Sequence, residues 1–132
     1  MAGAGTNPEF ASIYAELRER MIRAASNQTV VTDSPGDLVL HAPIPNPVKP
    51  DQRMWFGAIQ IRKGYVSYHL MPVYSHAALR DQVSPELGKR MQGKSCFNFK
   101  KSDPALFDEL ERLTAEGARL YGQPFTVEKG RC

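Results

Sequence analysis

The sequence has few cysteines and no long apolar run. Its two cysteines, Cys96 and Cys132, are too few for a disulfide framework or a structural metal site built on cysteine. No apolar stretch approaches the roughly 20 residues that a spanning helix needs, and residues 1–30 lack the apolar core of a secretory signal. These absences predict a cytoplasmic protein with no membrane partner.

Neither sign of charge is in large excess. The 17 basic and 14 acidic residues give a formal net charge of +3 at pH 7, which requires neither nucleic acid nor an anionic membrane as a partner. The 42% hydrophobic content excludes low-complexity disorder, and 132 residues suit one packed domain. We expect that domain over residues 8–122, with residues 1–7 a disordered N-terminus or a remnant of cloning and residues 123–132 a C-terminal tail.

Apolar spacing predicts two long helices. Residues 8–25 and 104–121 repeat apolar side chains at every third or fourth position, as helices buried on one face do. Shorter helices are expected after Pro72 and at Ser84, which precedes a proline in the manner of an N-cap. We expect Gly93 to end the second of these.

Strands are predicted between the two long helices. The chain there has β-branched runs and period-two alternation over residues 29–32, 38–41, 54–62, 65–73 and 94–100. Four prolines in residues 43–50 predict a surface loop. Strict alternation puts Trp55 and Ile59 on the apolar face of the sheet and Phe56 on its mixed face. The expected fold is α+β: an antiparallel sheet of about five strands, packed on N- and C-terminal helices, with short helices before the last strand.

The mixed face of the sheet holds the first candidate site, formed by Tyr65, His69 and Cys96. Histidine ordinarily titrates near neutral pH, and a histidine beside a cysteine and a tyrosine is a combination found in small polar sites. The alternative is that His69 is a half-exposed sheet histidine and Cys96 a small packed residue. The sequence has no glycine-rich phosphate loop, paired helical histidines or nucleophile turn, so we expect a protein that is not an enzyme.

A basic stretch is the second candidate site. It contains no acidic residue over residues 89–101 and could bind an anion or single-stranded nucleic acid through Lys89, Arg90, Lys94, Lys100 and Lys101. Phe56 and Tyr65 would add aromatic surface to it. The alternative is a solvated strand edge that its lysines protect from pairing with other edges.

Three segments of the sequence resemble a known family. The run from Gly64 to Tyr74, with Ser84 to Leu87 and Lys89 to Phe99 after it, resembles the YdhG-like family of small bacterial domains of unknown function. The likeness extends from about Phe10 to Tyr121. It implies a frataxin-like sandwich of two helices on an antiparallel sheet, and some members of the family are described as iron-binding proteins that supply iron-sulfur cluster or haem assembly.

Iron binding of the frataxin type would use carboxylates on the first helix and the first hairpin, because iron favours oxygen ligands. The positions here that match this pattern are Glu9, Glu16, Glu19, Asp33 and Asp37. The first helix departs from the pattern, since arginines at positions 18, 20 and 23 are spaced to pair with its own acids.

We therefore predict a non-catalytic binding protein. The first alternative is an iron-binding protein or iron chaperone with iron-sulfur or haem assembly proteins as partners. The second is an anion-binding or nucleic-acid-binding module that uses the basic stretch, although nucleic acid is not the partner that the charge favours. An enzyme that acts through Cys96 and His69 is the remaining alternative.

Overall fold

A computed structural model describes residues 8–93 and 95–122. The described chain contains five helices: α1 (Pro8–Ala24), α2 (Met71–Ser75), α3 (Ala77–Arg80), α4 (Pro85–Gly88) and α5 (Pro104–Leu120). None of them is long and apolar enough to cross a membrane. The predicted boundaries of the domain at residues 7 and 123, and Lys94 and Cys132, lie outside the described residues.

The six strands of the described chain form one open antiparallel sheet. They are β1 (Thr29–Ser34), β2 (Asp37–Pro45), β3 (Arg53–Ile61), β4 (Val66–Leu70), β5 (Met91–Gln92) and β6 (Cys96–Phe99). Their order across the sheet is β1-β2-β3-β4-β6-β5. This confirms the predicted α+β class, with one strand more than expected.

The core lies between one face of this sheet and the helices. The apolar stripe of α1 packs on β3 and β4, while Phe107 of α5 meets Phe99 of β6 edge to face at 5.0 Å between ring centroids. The side chain of Asp103 caps α5 by accepting a hydrogen bond from the Leu106 amide, which has no partner within the helix.

Arginines of α1 join the two long helices. Arg20 contacts Asp108 of α5 at 2.5 Å, and Arg23 contacts Glu111 at 2.8 Å. The spacing of the sequence predicted pairs within α1, but the close ion pairs of these arginines are with α5, and Glu19 acts on Arg23 only as a weaker charge. The acids of α5 lie directly across the helix interface, so the contact depends on tertiary packing that helical spacing does not report.

A β-bulge in β3 reverses the predicted faces of two aromatic residues. Leu40 pairs with Gly57 and His41 pairs with Trp55, so Phe56 is an extra residue between two consecutive pairs. Phe56 is completely buried in the core, and its ring lies 5.8 Å from that of Tyr121. Trp55 consequently projects from the other face. The predicted placement of Phe56 beside the basic stretch is wrong for the same reason.

Other boundaries also differ from those predicted. The strand expected over residues 65–73 ends at Leu70, because Pro72 has a fixed φ that suits the first turn of α2. Helix α4 ends at Gly88, and Gly93 adopts a φ of +75° in the turn between β5 and β6 instead of ending a helix. β2 extends to Pro45, beyond its last pair with β1 at His41. Proline has no amide hydrogen, but no β1 residue lies opposite this part of β2, so its prolines break no hydrogen bond to β1.

Candidate functional site

The face of the sheet opposite the core is covered by no described helix. Helices α2, α3 and α4 each contact α5, and α1 packs on the core side of β3 and β4. We call this surface the open face. Its central side chains alternate with core residues along β3, β4 and β6: Trp55, Gln60, Ser67, His69, Cys96 and Asn98.

His69 and Cys96 form a pair at the centre of the open face. They lie opposite each other on β4 and β6, and Sγ of Cys96 is 3.6 Å from Nε2 of His69. The same thiol donates to Oδ1 of Asn98 at 3.3 Å. On the other side of His69 lies the indole of Trp55, with ring centroids 5.7 Å apart and planes inclined at 53°. Two ring systems and a thiol thus form one half-buried surface.

Burial keeps both members of the pair neutral. It raises the pKa of the Cys96 thiol, because the thiolate would lose hydration there, and the positive charge of Arg62 opposes this only in part. Burial also lowers the pKa of His69, and Arg62 lowers it further. The result is a protonated thiol beside a neutral imidazole. Since the thiolate is the nucleophilic form of cysteine, the pair is not activated for nucleophilic attack.

A chain of polar side chains runs along the edge of this site. Nη2 of Arg62 donates to Oε1 of Gln60 at 2.5 Å, and Nε2 of Gln60 donates to Oδ1 of Asp37 at 3.0 Å. Asp37, an expected iron ligand, is therefore engaged on the open face. Tyr65 lies in the turn before β4, where its carbonyl accepts from the Arg62 amide, and the described contacts join His69 to Cys96 and not to Tyr65.

The remaining expected iron ligands are not brought together. Asp33 forms a two-point ion pair with Arg18, at 2.5 and 3.0 Å, which holds the pKa of that carboxyl below its usual value. Glu16 accepts a hydrogen bond from the Ser102 hydroxyl at 3.1 Å. Glu9 and Glu19 are exposed on α1.

No metal-binding group is evident where the structure describes the chain. Across residues 8–93 and 95–122, no set of three or more His, Cys, Asp or Glu side chains is placed to hold a metal ion. Iron binding by the acidic set stays a prediction, as do its partners in cluster or haem assembly.

In the folded protein, acidic side chains from outside the basic stretch lie beside it. Asn98 of β6 donates its amide to the carbonyl of Arg90, so the two arms of the stretch are neighbours. Lys100 and Lys101 are exposed after β6. A cleft of about 410 Å³ beside Arg90 has a mixed lining: Glu86, Lys89, Arg90, Asp103, Ala105 and Leu106. Two carboxylates therefore offset the two cations there, and anion binding by this stretch stays a prediction.

Sequence reasoning missed Trp55 and Arg62 as members of the open-face site. Trp55 was assigned to the core because an uninterrupted alternation was assumed along β3. Gly57 was the available signal, since a glycine inside a strand often marks a bulge or a close approach of another backbone. Here a Cβ at Gly57 would lie 2.7 Å from the carbonyl oxygen of His69. The alternation that puts Gln60 on the mixed face puts Arg62 there too, but the influence of Arg62 on His69 and Cys96 depends on its distance from β4 and β6.

No protein-family model, curated protein or solved structure matches this chain. The α+β class and the antiparallel sheet are therefore established by the architecture itself. The resemblance to YdhG-like domains and the frataxin-like sandwich stay predictions.

Proposed function

We propose that this protein is a non-catalytic binding protein that holds a small anionic ligand on its open face. The observation that carries the proposal is the cluster of Trp55, His69 and Cys96, which lies within the electrostatic field of Arg62. Flat rings and a nearby cation are the groups that bind a planar ligand with a negative charge.

The charge of Arg62 supports the anionic character of the ligand. The contribution of Arg62 to the pKa of both His69 and Cys96 is a lowering, even though burial raises the pKa of Cys96 overall. The potential that Arg62 contributes at the pair is therefore positive. The nearest carboxylate in its hydrogen-bond chain, that of Asp37, contacts Gln60 and not the guanidinium. A positive potential at a half-buried surface favours phosphate or carboxylate over a metal cation.

The neutral pair supports binding over catalysis. Protonated Cys96 and neutral Asn98 and His69 offer hydrogen-bonding groups with no charged nucleophile among them. Such a surface orients a ligand without attacking it.

We also propose that the chain is a YdhG-like domain. The resemblance rests on the runs from Gly64 to Tyr74 and from Lys89 to Phe99. The order of a strand, short helices, a strand and a final helix between residues 66 and 120 supports this assignment. The alternative of iron binding has no comparable support from the geometry of its carboxylates.

Trp55 provides the test, because it is the single tryptophan of the chain and lies in the proposed site. Adenosine monophosphate is a suitable probe, since its flat base and its phosphate match the two parts of the site. We expect a saturable change in tryptophan fluorescence with adenosine monophosphate and weaker binding of uncharged adenosine. Arg62→Gln should weaken the binding of the nucleotide about fivefold, as loss of an exposed charge pair does.

Arg112→Gln is the matched control, because Arg112 is an exposed arginine on α5, across the core from the open face. It should bind the nucleotide as the parent does. Equal binding of nucleotide and adenosine, or equal losses in the two variants, would contradict the anionic site. A response to ferrous iron alone, abolished by changes at Glu9, Glu16 and Glu19, would favour the iron alternative.

A further inference from the structure

A separate cleft of about 520 Å³ lies between the loop that joins β2 to β3 and helix α2. Most of its walls are apolar and come from Val48, Met54, Met71 and Tyr74. Ser75 and Lys49 are among its polar lining residues, and Lys49 is the one charged side chain in that lining. An open, largely apolar cleft of this volume with a single charged group in its lining is a candidate small-molecule site.

The loop that forms one wall is held in place before any ligand arrives. Oδ1 of Asn46 accepts hydrogen bonds from the amides of Val48 and Lys49, at 2.8 and 3.2 Å. The amide of Asn46 donates to the carbonyl of Gln52 at 2.7 Å, which closes the loop at its base. A preorganised wall loses little conformational entropy on binding, so more of the contact energy becomes affinity.

Val48 is the most exposed large apolar side chain of the described residues, at 72% of its full accessible area. It lines the cleft from the rigid loop. Methionines on the opposite wall adapt to ligands of varied shape, because their side chains are unbranched and polarisable. The neighbouring acid, Asp51, lines the adjoining cleft together with Arg53 and is not part of this lining.

We propose that this cleft binds a small amphipathic carboxylate, with its apolar body against the methionines and its acid group at Lys49. Charge complementarity selects the ligand class: the lining contributes one positive charge and no carboxylate. The site shares no lining residue with the open face, so this proposal is independent of the proposed function.

Methionine methyl signals provide the readout, with octanoate as the probe. Met54 and Met71 line the cleft, whereas Met21 is a buried residue of α1 and Met91 lies on β5. In a titration of the full chain we expect saturable shifts of the Met54 and Met71 methyl groups while those of Met21 and Met91 stay in place. Concerted movement of the Met21 and Met91 signals with those of Met54 and Met71 would indicate a general effect on the fold and would overturn the proposal.

Lys49→Gln tests the role of charge. It should weaken octanoate binding about fivefold, the scale of an exposed ion pair, and leave the weaker binding of neutral octanol unchanged. Lys63→Gln is the matched control, because Lys63 is an exposed lysine in the turn between β3 and β4. Val48→Ser should weaken both ligands, since it shortens the apolar wall at an exposed position. Equal affinity of the parent and Lys49→Gln for octanoate would overturn the proposal.

Discussion

Tyr68 is completely buried in the core, where its hydroxyl needs a hydrogen-bond partner. It finds one in the hydroxyl of Thr114 on α5, which also donates to the carbonyl of Leu110 at 2.7 Å. Burial raises the pKa of Tyr68 far above its ordinary value, so the phenol stays neutral and able to donate. The hydrogen bond between the two hydroxyls joins β4 to α5.

Thr114→Val should lower the free energy of unfolding by about 1–3 kcal/mol, because it leaves the Tyr68 hydroxyl buried without a partner. Tyr68→Phe should cost less, since Thr114 keeps its bond to Leu110. The double variant should be no less stable than Thr114→Val alone. Urea unfolding of the four proteins measures these differences, and strictly additive losses would mean that the two hydroxyls do not interact.

Residues also show where sequence reasoning stops. The cores of both long helices were predictable, because Ile13 and Leu110 recur at helical spacing and are buried as expected. Cys96 and His69 were predicted to share a face, and they do. Trp55 was not predictable in this way, because one inserted residue in β3 changes which side chains face the core. A bulge is settled by pairing across strands, which a single strand does not encode.

At the scale of elements, the approach of α5 to α2 depends on Gly117. A Cβ built at this position would lie 2.8 Å from Cβ and Cγ of Pro72, closer than real carbon atoms come. Proline is rigid and cannot move aside. The close approach of α5 to α2 therefore requires a residue without a side chain at position 117.

Gly117→Ala should destabilise the protein by about 1–3 kcal/mol through this overpacking, although alanine is the better helix former by about 1 kcal/mol. Gly88→Ala is the control, because a Cβ at that glycine meets open space. Thermal unfolding of both variants measures the contrast. Stabilisation by Gly117→Ala would contradict the close crossing.

The order of the elements was largely predictable, while their smallest members were not. Ser84 caps α4 as expected, because its side chain accepts from the Leu87 amide. The two-residue strand β5 was missed, since Met91 and Gln92 are too few to show alternation. Gly93 was predicted to end a helix, because glycine often does so. Glycines with positive φ also occur in turns between strands, which is where Gly93 lies.

For the whole molecule, the half-buried pair of His69 and Cys96 on the open face predicts how stability depends on pH. Burial, and secondarily Arg62, lowers the pKa of His69 in the folded protein, while Cys96 stays neutral beside it. As the pH falls below about 6.5, the unfolded chain therefore binds a proton before the folded one does. The free energy of unfolding should fall in this range.

His69→Gln should flatten this pH dependence below about pH 6.5, because glutamine does not titrate. Urea unfolding at several pH values measures it. The carboxyls of Asp33 and Glu111 also have lowered pKa values, but their ordinary pKa values of 3.8 and 4.5 place the stability they lose at lower pH. An unchanged slope in the variant would show that another group is responsible.

The ion pairs between α1 and α5 also have a consequence for folding during translation. Arg20 and Arg23 reach across to Asp108 and Glu111, and Asn27 donates to the carbonyl of Ala118. Residues 25–103 separate the two helices along the chain. During synthesis, α1 therefore emerges with its apolar stripe uncovered, and all six strands described above are translated before α5 appears. A chaperone that shields amphipathic helices would have its longest opportunity at α1.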